Sequence, residues 1–410
     1  MTQQLGNYFA QAAVCVSRQD GLGLAALLRV DAPAPAAAVA AALRGAPLDV
    51  GGLASSRLPP PYDEVLALHC QCLAARAQAK HDDAYAAATG ALAAMTREFR
   101  ASESAWVVDP LLALARGLRS AAGEADAAAA AAGKAASKLS DAGSQLMKVF
   151  SAAFLSPSRD KKLATLGVVN QAFAVYFKLN TLRLCKNMIA SVESANALPL
   201  DSYAVGQRVT YRFYTGRLAV FDEQYAKAAA DLSLSLAECP RRAAANRARI
   251  LQYLLPVKLL LGQLPSPTLL ARHPGLAAYY APVAEAVRRG DVRSLDAALE
   301  AHQASFIRAG TYLLLEKLRA GVHRTLLKKI HLIQKQRDAA RAHQLPIALF
   351  QRALAWLGSP AELDEVECIL ANLIYRRYVK GYISHKARVI VLSKQTPFPP
   401  LSSVAFEDPA

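Results

Sequence analysis

The tightest constraint on this chain is a change of hydrophobic period between Pro346 and Lys394. Leu363, Val366, Leu370, Leu373 and Ile374 recur at three- and four-residue steps, which places them on one face of a helix. A start signal precedes them. Ser359 can cap, Pro360 suits the first helical position, and Glu362 falls three after the cap. Asp364, Glu365 and Glu367 crowd the beginning of that helix and Arg376 and Arg377 its end, as the helix dipole favours. Beyond Arg377 the pattern becomes two short β-branched runs, Val379 to Ile383 and Arg388 to Leu392, around Ser384-His385-Lys386, which predicts a hairpin. With the apolar helical stretch from Pro346, this is the layout of a winged helix spanning 346–395.

Charge gives that module a candidate role. Arg376, Arg377, Lys380, Lys386, Arg388 and Lys394 follow one another from Tyr375 to Lys394 without an acid between them. A protruding hairpin of one sign suits phosphate contacts. The alternative is a solvated edge whose lysines deter strand pairing. A second basic stretch lies just upstream. Between Arg308 and Arg341 nine bases face two acids, Glu316 and Asp338. Arg324, Lys328 and Lys335 share one helical face, Lys329 lies beside them, and Leu326, Leu327, Ile330 and Ile333 turn elsewhere. The two basic surfaces are expected to be continuous. The whole chain of 410 residues carries a formal charge of +16, which favours polyanionic partners.

The rest reads as helix. Ala, Leu and Arg dominate, and β-branched residues are scarce outside the last hairpin. Residues 1–145 form an N-terminal helical region. It holds a helix near Asn7 to Ser17, an irregular tract from Pro33 to Pro61, and a helical hairpin, Tyr62 to Ala79 and Asp83 to Phe99. Pro110 opens a further helix. Residues 121–143 have one large apolar side chain, Leu139, and are expected to be a mobile insertion, with a solvated alanine helix as the alternative. Residues 146–345 are denser, with Phe150, Phe173, Tyr176 and Phe177 as expected core. There Gly216, Ala228, Leu232 and Pro240 match the tetratricopeptide spacing, with small residues where two antiparallel helices approach. A stack of helix pairs, an α-solenoid, fits the rhythm on both sides. Residues 396–410 read as a C-terminal tail.

Signals for chemistry are weak. Gly21-x-Gly23-x-x-Ala26 matches a dinucleotide fingerprint by letter, but no βαβ unit surrounds it, so a turn between helices is the better reading. His69-Cys70-x-Cys72 has no second cluster to complete a tetrahedral zinc set, and the six cysteines read as buried thiols of a reducing compartment. There is no Ser/His/Asp order, metalloprotease His pair or phosphate loop. His323, His331 and His343 lie among bases and read as surface residues. Neither catalysis nor a cofactor is expected. The chain also has no run of transmembrane length and no basic leader, so a soluble intracellular protein without membrane insertion is expected.

Several strings resemble one family. Asn246-Arg247-Ala248-Arg249-Ile250, Tyr253-Leu254-Leu255-Pro256-Val257-Lys258, Arg289-Gly290-Asp291 and Phe306-Ile307-Arg308-Ala309-Gly310 resemble the helical half of a PCI domain. Leu370 to Tyr375, Val379 to His385 and Ser393 to Leu401 resemble its winged helix and the segment after it. The narrower resemblance, covering Phe150 to Leu401 well, is to the PCI domain-containing protein 2 family, the PCI subunit of the transcription and export complex. The Ala-rich N-terminal half and the doublet Arg376-Arg377 depart from that pattern.

The resemblance implies a non-enzymatic adaptor in nuclear mRNA export, located in the nucleus at the pore and partly in the cytoplasm. Its implied partners are a large scaffold subunit of the germinal-centre-associated nuclear protein type, a small acidic subunit shared with the proteasome lid, nuclear pore components, and RNA or DNA. The expected nucleic-acid contacts are Arg324, Lys328, Lys329, Lys335, Arg376, Arg377, Lys380, Lys386, Arg388 and Lys394. The competing expectation is a structural PCI subunit of a proteasome-lid or COP9-signalosome-type assembly.

Overall fold

The computed structural model describes residues 2–31 and 49–404, together with Val39 and Ala41. About half of the tract expected to be irregular, 33–61, and the end of the expected tail lie outside the described residues, and 50–55 of that tract is helix instead. Among the described residues the protein is mostly helical, with one small sheet near its C-terminus. It divides into two compact units between Tyr211 and Arg212. Among the described residues, no helix is long and apolar enough to cross a membrane.

The first unit opens with α1 (Thr2–Ser17) and α2 (Gly21–Leu27), then α3 (Val50–Ser55). The Asp20 carboxylate accepts from the Gly23 amide and so caps α2, and Asp49 caps α3 on Gly52 in the same way. The expected helical hairpin is α4 (Tyr62–Ala77) and α5 (His81–Ala101). Ala84, Ala87, Ala88, Ala91 and Ala94 are buried along α5, where small side chains let neighbouring helices close in, and Met95 and Phe99 fill the core.

The stretch expected to be mobile is instead mostly helix. α6 (Val108–Ala131) runs through it, 130–137 is a continuous exposed run, and α7 begins at Lys138 (Lys138–Phe154). Ala121, Ala122 and Ala125 are buried, because an alanine face packs when the opposing helix comes close. The Asp126 carboxylate stitches the two helices together. It accepts from the amides of Ser137 (3.0 Å), Lys138 (2.8 Å) and Leu139 (2.9 Å), donors that α7 cannot satisfy internally. The unit continues with α8 (Arg159–Lys162), α9 (Ala164–Leu179) and α10 (Leu182–Val192). Phe150, Phe173 and Tyr176 are core, as expected, while Phe177 is half-buried.

The division falls, in sequence, within α11 (Val205–Phe221). It pairs with α12 (Tyr225–Glu238) as the tetratricopeptide spacing predicts: a Cβ on Gly216 would lie 2.6 Å from Cγ of Leu232. Arg212 on α11 binds the buried Asp231 on α12 at 2.7 Å. Next come α13 (Ala244–Leu260), α14 (Pro267–Ala271), α15 (Pro274–Arg289), α16 (Val292–Ala301), α17 (Gln303–Ala309), α18 (Tyr312–Glu316) and α19 (Leu318–Arg337). The Arg289-Gly290-Asp291 stop-and-start is realised. Gly290 adopts φ +67° after α15, and the Asp291 carboxylate accepts from the Ser294 amide to cap α16. A Cβ on Gly290 would also lie 2.7 Å from the amide nitrogen of Leu326, so α19 packs directly on this turn.

The winged helix follows: β1 (Gln344–Pro346), α20 (Ile347–Trp356), α21 (Leu363–Tyr375), β2 (Gly381–Ser384) and β3 (Val389–Leu392). The antiparallel sheet has order β1-β3-β2, with Leu345 opposite Ile390 and Tyr382 opposite Val391. β1 was not foreseen; three residues, one of them proline, carry no alternation to read. The expected cap at Ser359 is also corrected. α21 begins three residues later than that cap implies, after Glu362, because the Gln351 side chain donates to the Ala361 carbonyl at 3.0 Å and ties the linker to α20. Val366, Leu370 and Leu373 are buried as expected.

Two outcomes follow from this packing. Gly216→Val forces a side chain against Leu232 and should cost about 1–3 kcal/mol in denaturant unfolding, whereas Gly206→Val, in open space, should cost much less. Burial pushes His69 in the first unit, and His323 in the second, down to about 4. Between there and the unfolded value near 6.5, the unfolded chain takes up protons that the folded units refuse. Stability should therefore be full above pH 6.5 and fall as the pH drops toward 4, by roughly 3 kcal/mol for a fully buried histidine. Denaturant melts at pH 7 and 5 should show this loss, and His69→Leu should reduce it.

Candidate nucleic-acid interface

Helix α19 supplies the first wall of the site. Leu318, Val322, Leu326 and Leu327 face the core, which turns Lys328 and Lys335 outward, with His331 half-buried between them. The chain then crosses 338–343. There the His331 ring nitrogen Nδ1 donates to the Ala342 carbonyl at 2.9 Å, and the chain enters β1. The second wall comes from the far end of the protein. After β3, the Ser393 amide donates to the Lys380 carbonyl and the Lys380 amide donates to the Pro397 carbonyl, both at 2.8 Å. This doubles the segment 393–403 back across the front of α19.

The result is a groove of about 820 Å³ between α19 and the C-terminal segment. Lys328, Lys335, Lys380 and Lys394 all line it, with His331, His343 and the ring of Phe398. No Asp or Glu is among its lining residues. Four cations drawn from positions 66 residues apart in sequence thus share one concave surface. That arrangement attracts phosphate.

The other six expected contacts have different fates. Arg324 is 8% exposed: its Nε donates to the Tyr378 carbonyl at 3.1 Å, its second terminal nitrogen donates to the Pro399 carbonyl at 2.6 Å, and the guanidinium lies 5.9 Å from the Phe398 ring centre. Burial lowers its pKa, with the nearby Tyr378 opposing. Arg324 is therefore a staple beneath the groove wall, not a phosphate contact. Lys329 is exposed and donates to the Arg289 carbonyl at the end of α15, at 2.8 Å.

Arg388, expected to be a cation at the tip of the hairpin, is neutralised. It binds Asp364 Oδ1 at 2.8 Å and Glu367 Oε1 at 2.9 Å, and His385 Nδ1 lies 2.7 Å from Glu367 Oε2. The hydrogen bond from His385 and then that from Arg388 hold the Glu367 carboxyl below its ordinary range. The acids that the helix dipole draws to the start of α21 thus meet the hairpin in space. Lys386 stays exposed in that turn. Arg376 lines a separate cleft of about 520 Å³ with Leu313, Ile369 and Leu373. Arg377 is exposed and adopts φ +58°, the position after a helix that glycine usually takes.

The histidine reading also needs correction. His323 is half-buried, edge-on to Phe350 at 6.2 Å, and His331 and His343 line the groove. Cys70, Cys72, Cys185 and Cys239 are buried as expected, but Cys15 is half-exposed and Cys368 exposed. Sequence reasoning missed Phe398 and the second wall, having treated 396–410 as a tail. The Pro397-Phe398-Pro399-Pro400 string was the available signal.

A helical stack that ends in a winged helix defines a PCI-domain protein, and a PCI domain model matches residues 299–394. PCI domains are scaffold modules, which points to membership of a multiprotein complex. Over most of its length the chain is similar to several known proteins. PCI domain-containing protein 2 of Danio rerio is 40% identical, over 85% of this chain and 87% of that one. Enhanced ethylene response protein 5 of Arabidopsis thaliana is 42% identical, over 83% and 82%. Protein CSN12 homolog of Mycosarcoma maydis is 38% identical, over 65% and 62%. The chain belongs to the PCI domain-containing protein 2 family.

Replacing Arg324 tests its reassignment. Arg324→Met leaves two carbonyls without their donor and should cost about 2–3 kcal/mol. Amide exchange should accelerate most over 393–403, with the N-terminal unit unaffected; uniform acceleration would contradict a local staple.

Proposed function

We propose that this protein is a non-enzymatic adaptor of a nuclear, transcription-coupled mRNA-export complex, which pairs with a large scaffold subunit and holds RNA or DNA by its phosphate backbone. The observation that carries the reading is the meeting of Lys328, Lys335, Lys380 and Lys394 in one groove whose lining includes no carboxylate. Membership of the PCI domain-containing protein 2 family supports the adaptor role. The scaffold of the germinal-centre-associated nuclear protein type, the small acidic subunit and the pore components belong to the same proposal. So does residence in the nucleus at the pore, with a cytoplasmic fraction. The charge of +16 suits both an acidic protein and a nucleic acid.

A structural subunit of a proteasome-lid or signalosome-type assembly is the second reading. It draws on β3, where Ile390 and Leu392 are buried while Val389 and Val391 stay half-exposed on the opposite face. That apolar face suits packing against a neighbouring subunit.

Affinity purification of the tagged full chain distinguishes the two. The first reading expects the scaffold and pore components to co-purify, and the second expects lid or signalosome subunits. Filter binding of the chain with its co-expressed scaffold should give an affinity for RNA that falls steeply with salt. Lys328→Glu with Lys380→Glu should weaken all sequences alike, by roughly tenfold or more. Salt-insensitive binding would count against the reading.

A further inference from the structure

We propose that the groove selects single-stranded nucleic acid over duplex. The inference rests on the nucleic-acid reading above and narrows it. The physical basis is where the charge lies. A duplex carries its phosphates on the outside of a stiff cylinder and turns its bases inward. Proteins meet it by inserting a convex element, a helix or a ribbon, into one of its grooves. In this protein the convex element is the hairpin tip, and its arginine is answered within the winged helix: Arg388 binds Asp364 and Glu367, and Lys386 stays exposed beside it. Lys328, Lys335, Lys380 and Lys394 instead line a concavity.

That concavity has the volume of a small-molecule cleft, about 820 Å³ against the roughly 300–1,000 Å³ common for such sites. A flexible strand can lay phosphates along Lys328, Lys335, Lys380 and Lys394 inside it, but a duplex cannot enter. The second wall carries what a strand also needs. Gln395 and Thr396 offer neutral donors and acceptors to base edges, and Phe398 offers a ring. Base stacking on an aromatic side chain is tolerant of sequence and unavailable to a base inside a duplex. The ring is held in place rather than loose: Arg324 lies 5.9 Å from its centre and the His331 ring 5.6 Å, and the backbone on both sides is tied to Arg324 and Lys380. The segment lies mostly beyond the residues matched by the domain model, so the second wall is an addition to the PCI domain.

The test is fluorescence anisotropy of the full chain with a short labelled RNA, either single-stranded or annealed to its complement, across a salt series. The strand is expected to bind roughly tenfold or more tightly than the duplex. Lys335→Glu with Lys394→Glu, both exposed, should weaken strand binding at least tenfold and lower the salt slope by roughly one per lysine. Phe398→Leu should weaken it about fivefold or more while leaving the salt slope unchanged, since a lost stack removes no ion pair. Lys386→Glu at the hairpin tip should change strand binding little. Duplex binding as tight as strand binding, or a larger effect from Lys386→Glu than from the groove variants, overturns the proposal and leaves the broader reading standing. Binding of neither probe removes both.

Discussion

A buried guanidinium holds the C-terminal unit in its working shape. Arg324 leaves the solvent-facing side of α19, passes beneath the groove wall and donates to the carbonyls of Tyr378 and Pro399. Among the described residues its partners are these carbonyls and the face of Phe398, and they offset the cost of burying the charge. Arginine suits the task because its fixed fork of donors can reach two separated backbone segments at once. One of those segments joins α21 to β2; the other is the returning C-terminal strand of chain. Fixing both against α19 creates the groove, and Lys328 and Lys335 can then share a surface with Lys380 and Lys394.

The same unit shows how little a run of like charge says about potential. Along the chain, 375–394 contains six cations and no acid. In space, Asp364 and Glu367 reach the hairpin from the first two turns of α21, and its tip loses much of its charge. Upstream, the basic stripe loses Arg324 to the interior and commits Lys329 to the end of α15. What is left is smaller and more localised than the sequence implied. It is also concave, so the lysines there act on the same volume.

The helical framework was legible because it depends on local regularities. The hairpin of α4 and α5, the close pair of α11 and α12 around Gly216, and the glycine stop at Gly290 each rest on residues within a few turns of one another. The reading failed where a distant partner decided the outcome. The alanine-rich stretch looked incapable of packing, yet Asp126 and a closely apposed helix fold it. Ser359 looked like a cap, yet Gln351 holds the linker elsewhere. Neither Asp126 nor Gln351 advertises its role, because a hydrogen bond to a remote backbone group leaves no period in the sequence.

The sequence by itself determined the class of fold, the winged helix at its end and the surplus of positive charge, since periodicity and net charge are sums over neighbouring residues. Only the tertiary structure decided which cations remain free and that they face each other across a groove. Ion pairing and desolvation depend on distances between segments far apart in the chain, and those distances exist only once the segments have packed.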